Sequence, residues 1–544
     1  MNIITINEQQ SSSIAEQYRR GHSNAVELFG SHVSNEEHWK HRATVLDQTT
    51  DHRANMKQVA AALRSYQAQL PTYPEALASL DQLEQEGALV IVGGQQAGLF
   101  GGALLIFYKA LTVVQAARHA SKILNRPVIP VFWIAGEDHD YDEANHVNIH
   151  SYEGHVRRVR IERPDGPRLA VSRTSLTSED WRSALQELAQ QLPDTEYKPA
   201  LLQRLKSHVT DAPTLSLAFA RLLADWFGRE GLILLDADDP NMRALEAPMF
   251  RELIERNNEL EQALKEGECR VTERGFPLQA QTAQASANLF LHHDQGRLLI
   301  HKDEDRFKDR KGIVSLTKEQ MIELTVKSPD VLSTNALTRP LMQDYVLPVL
   351  GAVLGPAELA YWGILGQAFH LFNRSIPLLI PRQSFTYLDN QVAKLLEKYE
   401  LTVEEALNDW EVKKTQWLSA QDEWKLEEKF QQAREQFVEL YDPIIDTVSE
   451  MQPGLTSLAL GNQQKIIEQI NYMESRALDA LAKQHDAALR QWDRIHQALK
   501  PLDRPQERVY GTIHLLNRYG PAWLAHWIDV PFEVTGGQRL VEKA

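Results

Sequence analysis

Three short apolar runs, each closing on glycines or carboxylates, constrain this chain more than any other feature. They are Ala88-Leu-Val-Ile-Val92, Val128-Ile-Pro-Val-Phe-Trp-Ile134 and Gly231-Leu-Ile-Leu-Leu-Asp236. Each is continuous rather than alternating and is short for a buried helix. That is the pattern of a strand covered on both faces. Helix-like segments follow the first run (103–120) and the third, where Pro240 is placed to open a helix. Strands alternating with helices predict an α/β protein with a Rossmann-like, doubly wound parallel sheet. The sheet is expected to resume near Ser375-Ile-Pro-Leu-Leu-Ile380.

Around that sheet the chain divides by pattern. Residues 14–86 read as helices, with Leu63, Tyr66 and Leu70 on one face and Pro71 and Pro74 closing the run. Connecting insertions are expected at about 150–225, with hairpin-like and helical parts, and at about 270–312. In the second, Asn288-Leu-Phe-Leu and Arg297-Leu-Leu-Ile flank an Asp294-Gln-Gly turn. The most apolar stretch, Tyr345 to Phe372, is broken by Pro348, Pro356 and Glu358 and predicts a buried helical pair rather than a membrane span. The core is therefore taken as 1–385. From 386 to 500, Phe430, Ala433, Phe437 and Leu440 step by 3 or 4, as do Ile466, Ile470, Met473 and Ala477, with a break at Pro453-Gly454. That spacing predicts a long antiparallel α-helical coiled-coil hairpin. The tail, 501–544, is expected to fold back onto the core.

At 544 residues the chain is long enough for two or three units. A net charge of -16 argues against a general nucleic-acid binder, which needs a basic surface. Cys269 is the only cysteine, so no intrachain disulfide can form and a reducing cytoplasm is the expected compartment. In its charged surroundings Cys269 reads as an ordinary structural residue. The start, MNIITINEQQSSS, has neither a basic segment nor an apolar one, and no signal peptide is expected.

Ligands of such sheets bind beyond the carboxyl ends of the strands. The first strand runs into Gly93-Gly-Gln-Gln-Ala-Gly-Leu-Phe-Gly-Gly102, which matches neither the dinucleotide fingerprint nor the P-loop. Gly94 and Gly98 would let the backbone approach a ligand, Gln95 and Gln96 could hydrogen-bond its oxygens, and the following helix N-terminus could face an anion. The competing reading is a tight structural turn. The second strand runs into Gly136-Glu-Asp-His-Asp-Tyr-Asp-Glu-Ala-Asn-His146, where seven ionisable side chains crowd one strand end. Crowding of this kind shifts pKa values and suits acid–base chemistry or substrate binding, with Asp138, His139 and Asp140 as candidates. A metal held by His139, His146 and a carboxylate, and a solvated acidic loop, are the alternatives. In Asp236-Ala-Asp-Asp239, aspartate before proline reads as helix capping. Asn335, Arg339 and Arg382 are the candidates for holding an anion.

The runs GGQQAGLFGGALLIFYK and PVFWIAGEDHDYDEANHV resemble the signature of the bacillithiol biosynthesis cysteine-adding enzymes. TRPLMQDYVLPVLGAVLGPAELAYW and RPQERVYGTIHLLNRYG add to the resemblance, which covers nearly the whole chain. It implies a nucleotidyltransferase-like core, similar also to class I aminoacyl-tRNA synthetases, with a coiled coil linked to dimer formation. The implied reaction joins the carboxyl group of cysteine to the amine of glucosaminyl-malate. Asp138 or His139 would take the proton of the ammonium, or Asp138 would hold it. Gly94 to Gly98 would face phosphate or the malate carboxylates, and Arg339 and Arg382 would clamp anions. ATP or ADP with Mg²⁺ is the implied cofactor, with no cysteine-rich zinc site. The implied protein is a cytoplasmic homodimer that engages neither nucleic acid nor membrane. Another ATP-dependent ligase, a nucleotidyltransferase or a non-catalytic coiled-coil scaffold are the competing readings.

Overall fold

The computed structural model describes residues 2–6 and 12–542. Met1, residues 7–11 (inside the stretch read as lacking a signal peptide) and residues 543–544 lie outside it. The chain forms two compact units, one of Met1–Tyr387 with Arg504–Glu542 and the other of Leu388–Asp503.

In the first unit the apolar runs become strands β1 (Leu89–Gln95), followed by helix α1 (Leu104–Leu124), then β2 (Val128–Ile134) and β3 (Ile233–Asp236), the last followed by α2 (Pro240–Glu255). Further along come the antiparallel pair β4 (Ser286–His293) and β5 (Gly296–Asp303), then β6 (Leu332–Thr334) and α3 (Arg339–Val346). They are followed by β7 (Val349–Leu354), α4 (Pro356–Trp362) and β8 (Leu378–Pro381). The central sheet has the order β8-β7-β1-β2-β3 with every pair parallel.

Successive side chains of a strand point to opposite faces, and here both faces are covered. Leu89, Ile91, Phe132, Ile134 and Leu234 join one apolar core, whereas Val90, Val92, Val131, Trp133 and Leu235 join the other. Full burial of an aromatic or branched aliphatic side chain is worth about 1.5–3 kcal/mol, so the two cores fix the register of the sheet.

The stretch from Tyr345 to Phe372 differs from the expected helical pair. Its centre is β7, between β8 and β1, flanked by α4 and the short helix Gly366–Leu371. Pro348 precedes the strand and Pro356 opens the next helix, so the prolines punctuate a strand rather than interrupting a helix. The earlier helical segment stands, with Asn55 capping Met56–Gln67 through its side chain and Leu63, Tyr66 and Leu70 all buried. The stretch after β2 holds a two-stranded hairpin, His146–His150 with Val156–Arg160, and then three helices up to Phe227. The expected hairpin at 288–300 is β4–β5, with Phe290 opposite Leu299; β6 pairs with β4 in the same antiparallel sheet.

The C-terminal segment of this unit is woven in. Gly537–Glu542 pairs antiparallel with Asn2–Thr5, and Gly511 bridges to Ala103 beside the start of α1. In the second unit, α5 (Leu426–Met451) and α6 (Thr456–Gln484) lie side by side, with Arg434 paired to Glu474 and Tyr441 bonded to Asn462. Among the described residues no helix is long and apolar enough to cross a membrane.

One buried hub ties the N-terminal helices to the rear of the sheet. Asp344 accepts from Arg42 at 2.5 Å, from Arg374 at 3.0 Å and from Arg53 at 3.3 Å, with its own side chain 1% exposed. Removing the carboxylate would strand three guanidinium groups out of water. Asp344→Ala is expected to destabilise this unit by about 3–5 kcal/mol. Thermal melting of the purified variant checks this, and an unchanged melting temperature would contradict it.

Candidate active site

The strand order reverses between β7 and β1, and a cavity of about 510 Å³ opens at the carboxyl ends of the strands there. That is where open α/β sheets bind their ligands, and the volume suits a small organic molecule. Its walls come from the turns after β1 and β2, from β4–β5, and from the segment joining β6 to α3.

The turn after β1 contributes Gly94, Gln95 and Gln96. A Cβ on Gly94 would lie 2.9 Å from the Trp133 carbonyl oxygen and 3.0 Å from Arg339 Nη1, so glycine is what lets the guanidinium rest against the strand end. Gln96 Nε2 donates to Asp138 Oδ2 at 2.5 Å, joining the first turn to the second. Asp138 Oδ1 also accepts the His139 N–H at 2.7 Å and lies 3.4 Å from Arg297 Nη1. Arg297, on β5, is itself fixed. Its Cζ sits 3.9 Å above the Phe290 ring, and it donates to Ser333 Oγ at 3.1 Å and to the Thr334 carbonyl at 2.7 Å.

These contacts set the state of Asp138. Burial would push its pKa up, but His139, the Arg297 guanidinium and the Gln96 amide together hold the carboxyl well below the usual carboxylate range. A carboxylate held so low is a weak proton acceptor and a good partner for a cation. His139 is one-third exposed at the cavity, its Nδ1 3.4 Å from Asp138 Oδ1.

The lining also carries Arg339 and Glu358. Arg339, at the start of α3, donates from Nη2 to the Tyr361 hydroxyl at 2.9 Å, and Glu358 on α4 stands 3.8 Å from the same nitrogen. Asn335 caps the turn before α3 by accepting from the Leu337 and Thr338 N–H groups, and its amide donates to Asn288 Oδ1 at 2.9 Å.

Gly94, Gln95, Gln96, Asp138, His139, Asn335 and Arg339 thus meet at one cavity. Three of the sequence candidates lie elsewhere. Asp140 is exposed beyond the rim. Gly98 packs inside the turn, where a Cβ would come within 2.7 Å of Gly102 Cα. Arg382 is buried in a bidentate pair with Glu507, at 2.9 and 2.5 Å, and does not line this cavity. The α1 N-terminus, read as a possible anion cradle, is also engaged: the Leu104 N–H donates to the Tyr510 carbonyl at 2.8 Å. As for a metal, His146 turns its Nδ1 to the Asp142 carbonyl at 3.0 Å, and among the described residues no three histidine, cysteine, aspartate or glutamate side chains converge as ligands.

Sequence reasoning missed Arg297, Lys109 and Glu358. Lys109 and Glu358 each interrupt an otherwise apolar run, LLIFYKALTVV and LGPAELAYW, and an isolated charge inside such a run is a readable signal. Arg297 carries none, because an arginine at a hairpin turn looks like any surface residue. Glu137 also proves buried, paired with Arg243 on α2 and accepting from Thr334 Oγ1 at 3.0 Å.

With this geometry in place, comparison with known proteins gives a consistent result. The family model described as the N-terminal Rossmann-like domain of bacillithiol biosynthesis BshC matches residues 1–383, and the one for its C-terminal coiled-coil domain matches residues 385–543. A relative in Bacillus cytotoxicus, named "Putative cysteine ligase BshC", is 33% identical over 84% of this chain and 85% of its own length. Relatives of the same name in Bacillus cereus strain AH187 and Bacillus thuringiensis strain Al Hakam are each 30% identical over the full length of both chains.

Beneath the site, Asp236 at the end of β3 accepts from Ser172 Oγ at 2.5 Å and from the Asp238 N–H at 2.9 Å. A Cβ on Gly136 would fall 2.3 Å from its Oδ1, so the second turn can cross here only as glycine. Burial, reinforced by the neighbouring Asp238 charge, pushes the Asp236 carboxyl up to about 7. In an unfolded chain aspartate titrates near ~4. Between that value and about 7 the folded protein holds a proton the unfolded chain has lost, so stability falls as pH rises through this window. Asp236→Asn is expected to flatten this dependence, raising the melting temperature more at about pH 8 than at about pH 5. An equal change at both would contradict it.

Proposed function

The chain belongs to the bacillithiol biosynthesis BshC family, and on that premise we propose that it is a ligase joining the carboxyl group of cysteine to the amine of glucosaminyl-malate. The observation that carries this reading is the presence, in one cavity, of a carboxylate held ionised, Asp138 with His139 beside it, and of the Arg339 guanidinium. An amino sugar carrying a dicarboxylate presents the complementary charges, an ammonium at one end and carboxylates at the other.

Amide formation needs the amine unprotonated and the acyl group activated. Asp138, held low, keeps the ammonium in place rather than deprotonating it. His139, beside it and open to the cavity, takes the proton as the amine attacks the acyl carbon. Gln96 and Arg297 keep the Asp138 carboxylate aimed. Condensing a carboxylate with an ammonium in water is uphill, and we assign the driving force to ATP with Mg²⁺. ATP would supply an activated acyl group for cysteine, and Arg297, beside Asp138, would be the cation facing its phosphate oxygens.

The finer architecture belongs to the same proposal. A parallel sheet whose order reverses at the cavity, with insertions after β2 and β3, supports a nucleotidyltransferase-like core. The paired helices α5 and α6 expose Leu440 (70%), Met451 (76%) and Leu458 (69%), which supports a coiled-coil hairpin that joins two copies into a homodimer. A single exposed cysteine fits a reducing cytoplasm.

Incubating the purified protein with cysteine and glucosaminyl-malate, with and without ATP and Mg²⁺, tests the reading by mass spectrometry. Bacillithiol formed only with ATP is expected. No product from folded protein would overturn it, and nucleotide consumption without cysteine would indicate a different ligase. His139→Gln is expected to lower kcat by about 10²-fold or more, and Asp138→Asn to raise KM for glucosaminyl-malate by about 10-fold. Undiminished bacillithiol in cells carrying Gln96, Asp138 and His139 all replaced by alanine would instead mark a scaffold.

A further inference from the structure

Lys109 sits on α1 with its side chain 2% exposed, in a segment that is otherwise apolar. An ammonium has three N–H donors and no acceptor, and all three are committed. One goes to the Gly94 carbonyl at 2.7 Å, one to Gln95 Oε1 at 3.1 Å and one to Glu358 Oε2. Lys109 therefore reaches from beneath the sheet to the rim of the cavity, gripping both the turn after β1 and the first turn of α4.

Glu358 is the shared element. Its Oε2 also accepts the Gly355 N–H at 2.9 Å, which fixes the carboxylate at the start of α4. Its Oε1 faces Arg339 across 3.8 Å, an ion-pair distance too long for a hydrogen bond. Arg339 instead donates Nη2 to Tyr361 and lays Nη1 against Gly94. Lys109 and Arg339 thus share the Glu358 carboxylate. Because the lysine holds Oε2, the arginine meets the carboxylate only at this longer distance, without a hydrogen bond to it, and its guanidinium faces the cavity.

Resting on the reading of the site given above, we propose that Lys109 is a positioning residue that engages Glu358 and so leaves Arg339 free to bind a carboxylate of the acceptor substrate. It thereby sets the preference for an amino sugar bearing a carboxylate over an uncharged one. Without Lys109, and with Arg382 held by Glu507, Glu358 closes the gap to Arg339, which is then spent internally. Removing Glu358 as well releases Arg339 again.

The test uses the full-length protein and three variants, Lys109→Met, Glu358→Gln and the double variant. Calorimetric titration is done with glucosaminyl-malate and with methyl glucosaminide, which keeps the amine and lacks the carboxylates. Lys109→Met is expected to weaken glucosaminyl-malate binding by about 10- to 100-fold, the range for one charged hydrogen bond, and to leave methyl glucosaminide unchanged. The double variant is expected to recover most of that loss. Equal weakening of both ligands, or no recovery in the double variant, would overturn the proposal. Should Lys109→Met fail to fold, Glu358→Gln decides: glucosaminyl-malate is expected to bind at least as tightly as to the wild type, and weaker binding would overturn it. Wild-type protein that binds neither ligand would overturn the functional reading itself, and this proposal with it.

Discussion

Covering both faces of a parallel sheet is the constraint on which the rest of this protein depends. With Leu89, Ile91 and Phe132 committed to one core and Val90, Val131 and Trp133 to the other, no side chain in the middle of these strands is free for chemistry. Polar function is confined to the strand ends, and the crevice at the reversal of strand order is where the chain can leave a ligand-sized space. Charged groups reach the cavity from packed elements: Asp138 from the turn after β2, Arg297 from β5, Arg339 from α3 and Glu358 from α4.

That confinement explains why charges at the site come in held pairs. A lone lysine or arginine this deep would lose more hydration than it could recover. Lys109 is therefore tied to Glu358, Arg243 to Glu137 and Glu246, and Arg297 to Asp138 and the Thr334 carbonyl. The same pairing that makes burial tolerable also fixes geometry, so catalytic and binding groups are oriented before any ligand enters.

Much of this was legible in the sequence, and the exceptions have physical causes. β1, β2 and β3 could be read because doubly buried strands are short continuous apolar runs, and the turns after β1 and β2 because glycine and clustered carboxylates are rare where packing alone rules. β7 was hidden because its neighbours are also apolar, and periodicity cannot separate a buried strand from a buried helix over so few residues. Arg382 drew attention by standing at the end of a strand, as the site residues do. Its bidentate partner, Glu507, lies far along the chain and left no trace nearby. Arg297 was invisible for the converse reason: its role comes from the β4–β5 hairpin folding over the ends of the central strands, a long-range placement that no local pattern encodes.

The two carboxylates that close neighbouring strands show how the fold assigns roles to identical side chains. Asp138, after β2, is reached by Arg297, Gln96 and the His139 N–H, and its charged form is favoured. Asp236, at the end of β3, is sealed beneath Gly136 with Asp238 beside it and is pushed towards its neutral form. The Asp238 charge beside Asp236 works in the same direction as its burial. Near pH 7 Asp236 is thus divided between its two forms, while Asp138 stays charged at the cavity. Identical side chains thus take different states from their surroundings, and Gly136, which lets the backbone pass against Asp236, does so by contributing no side chain of its own.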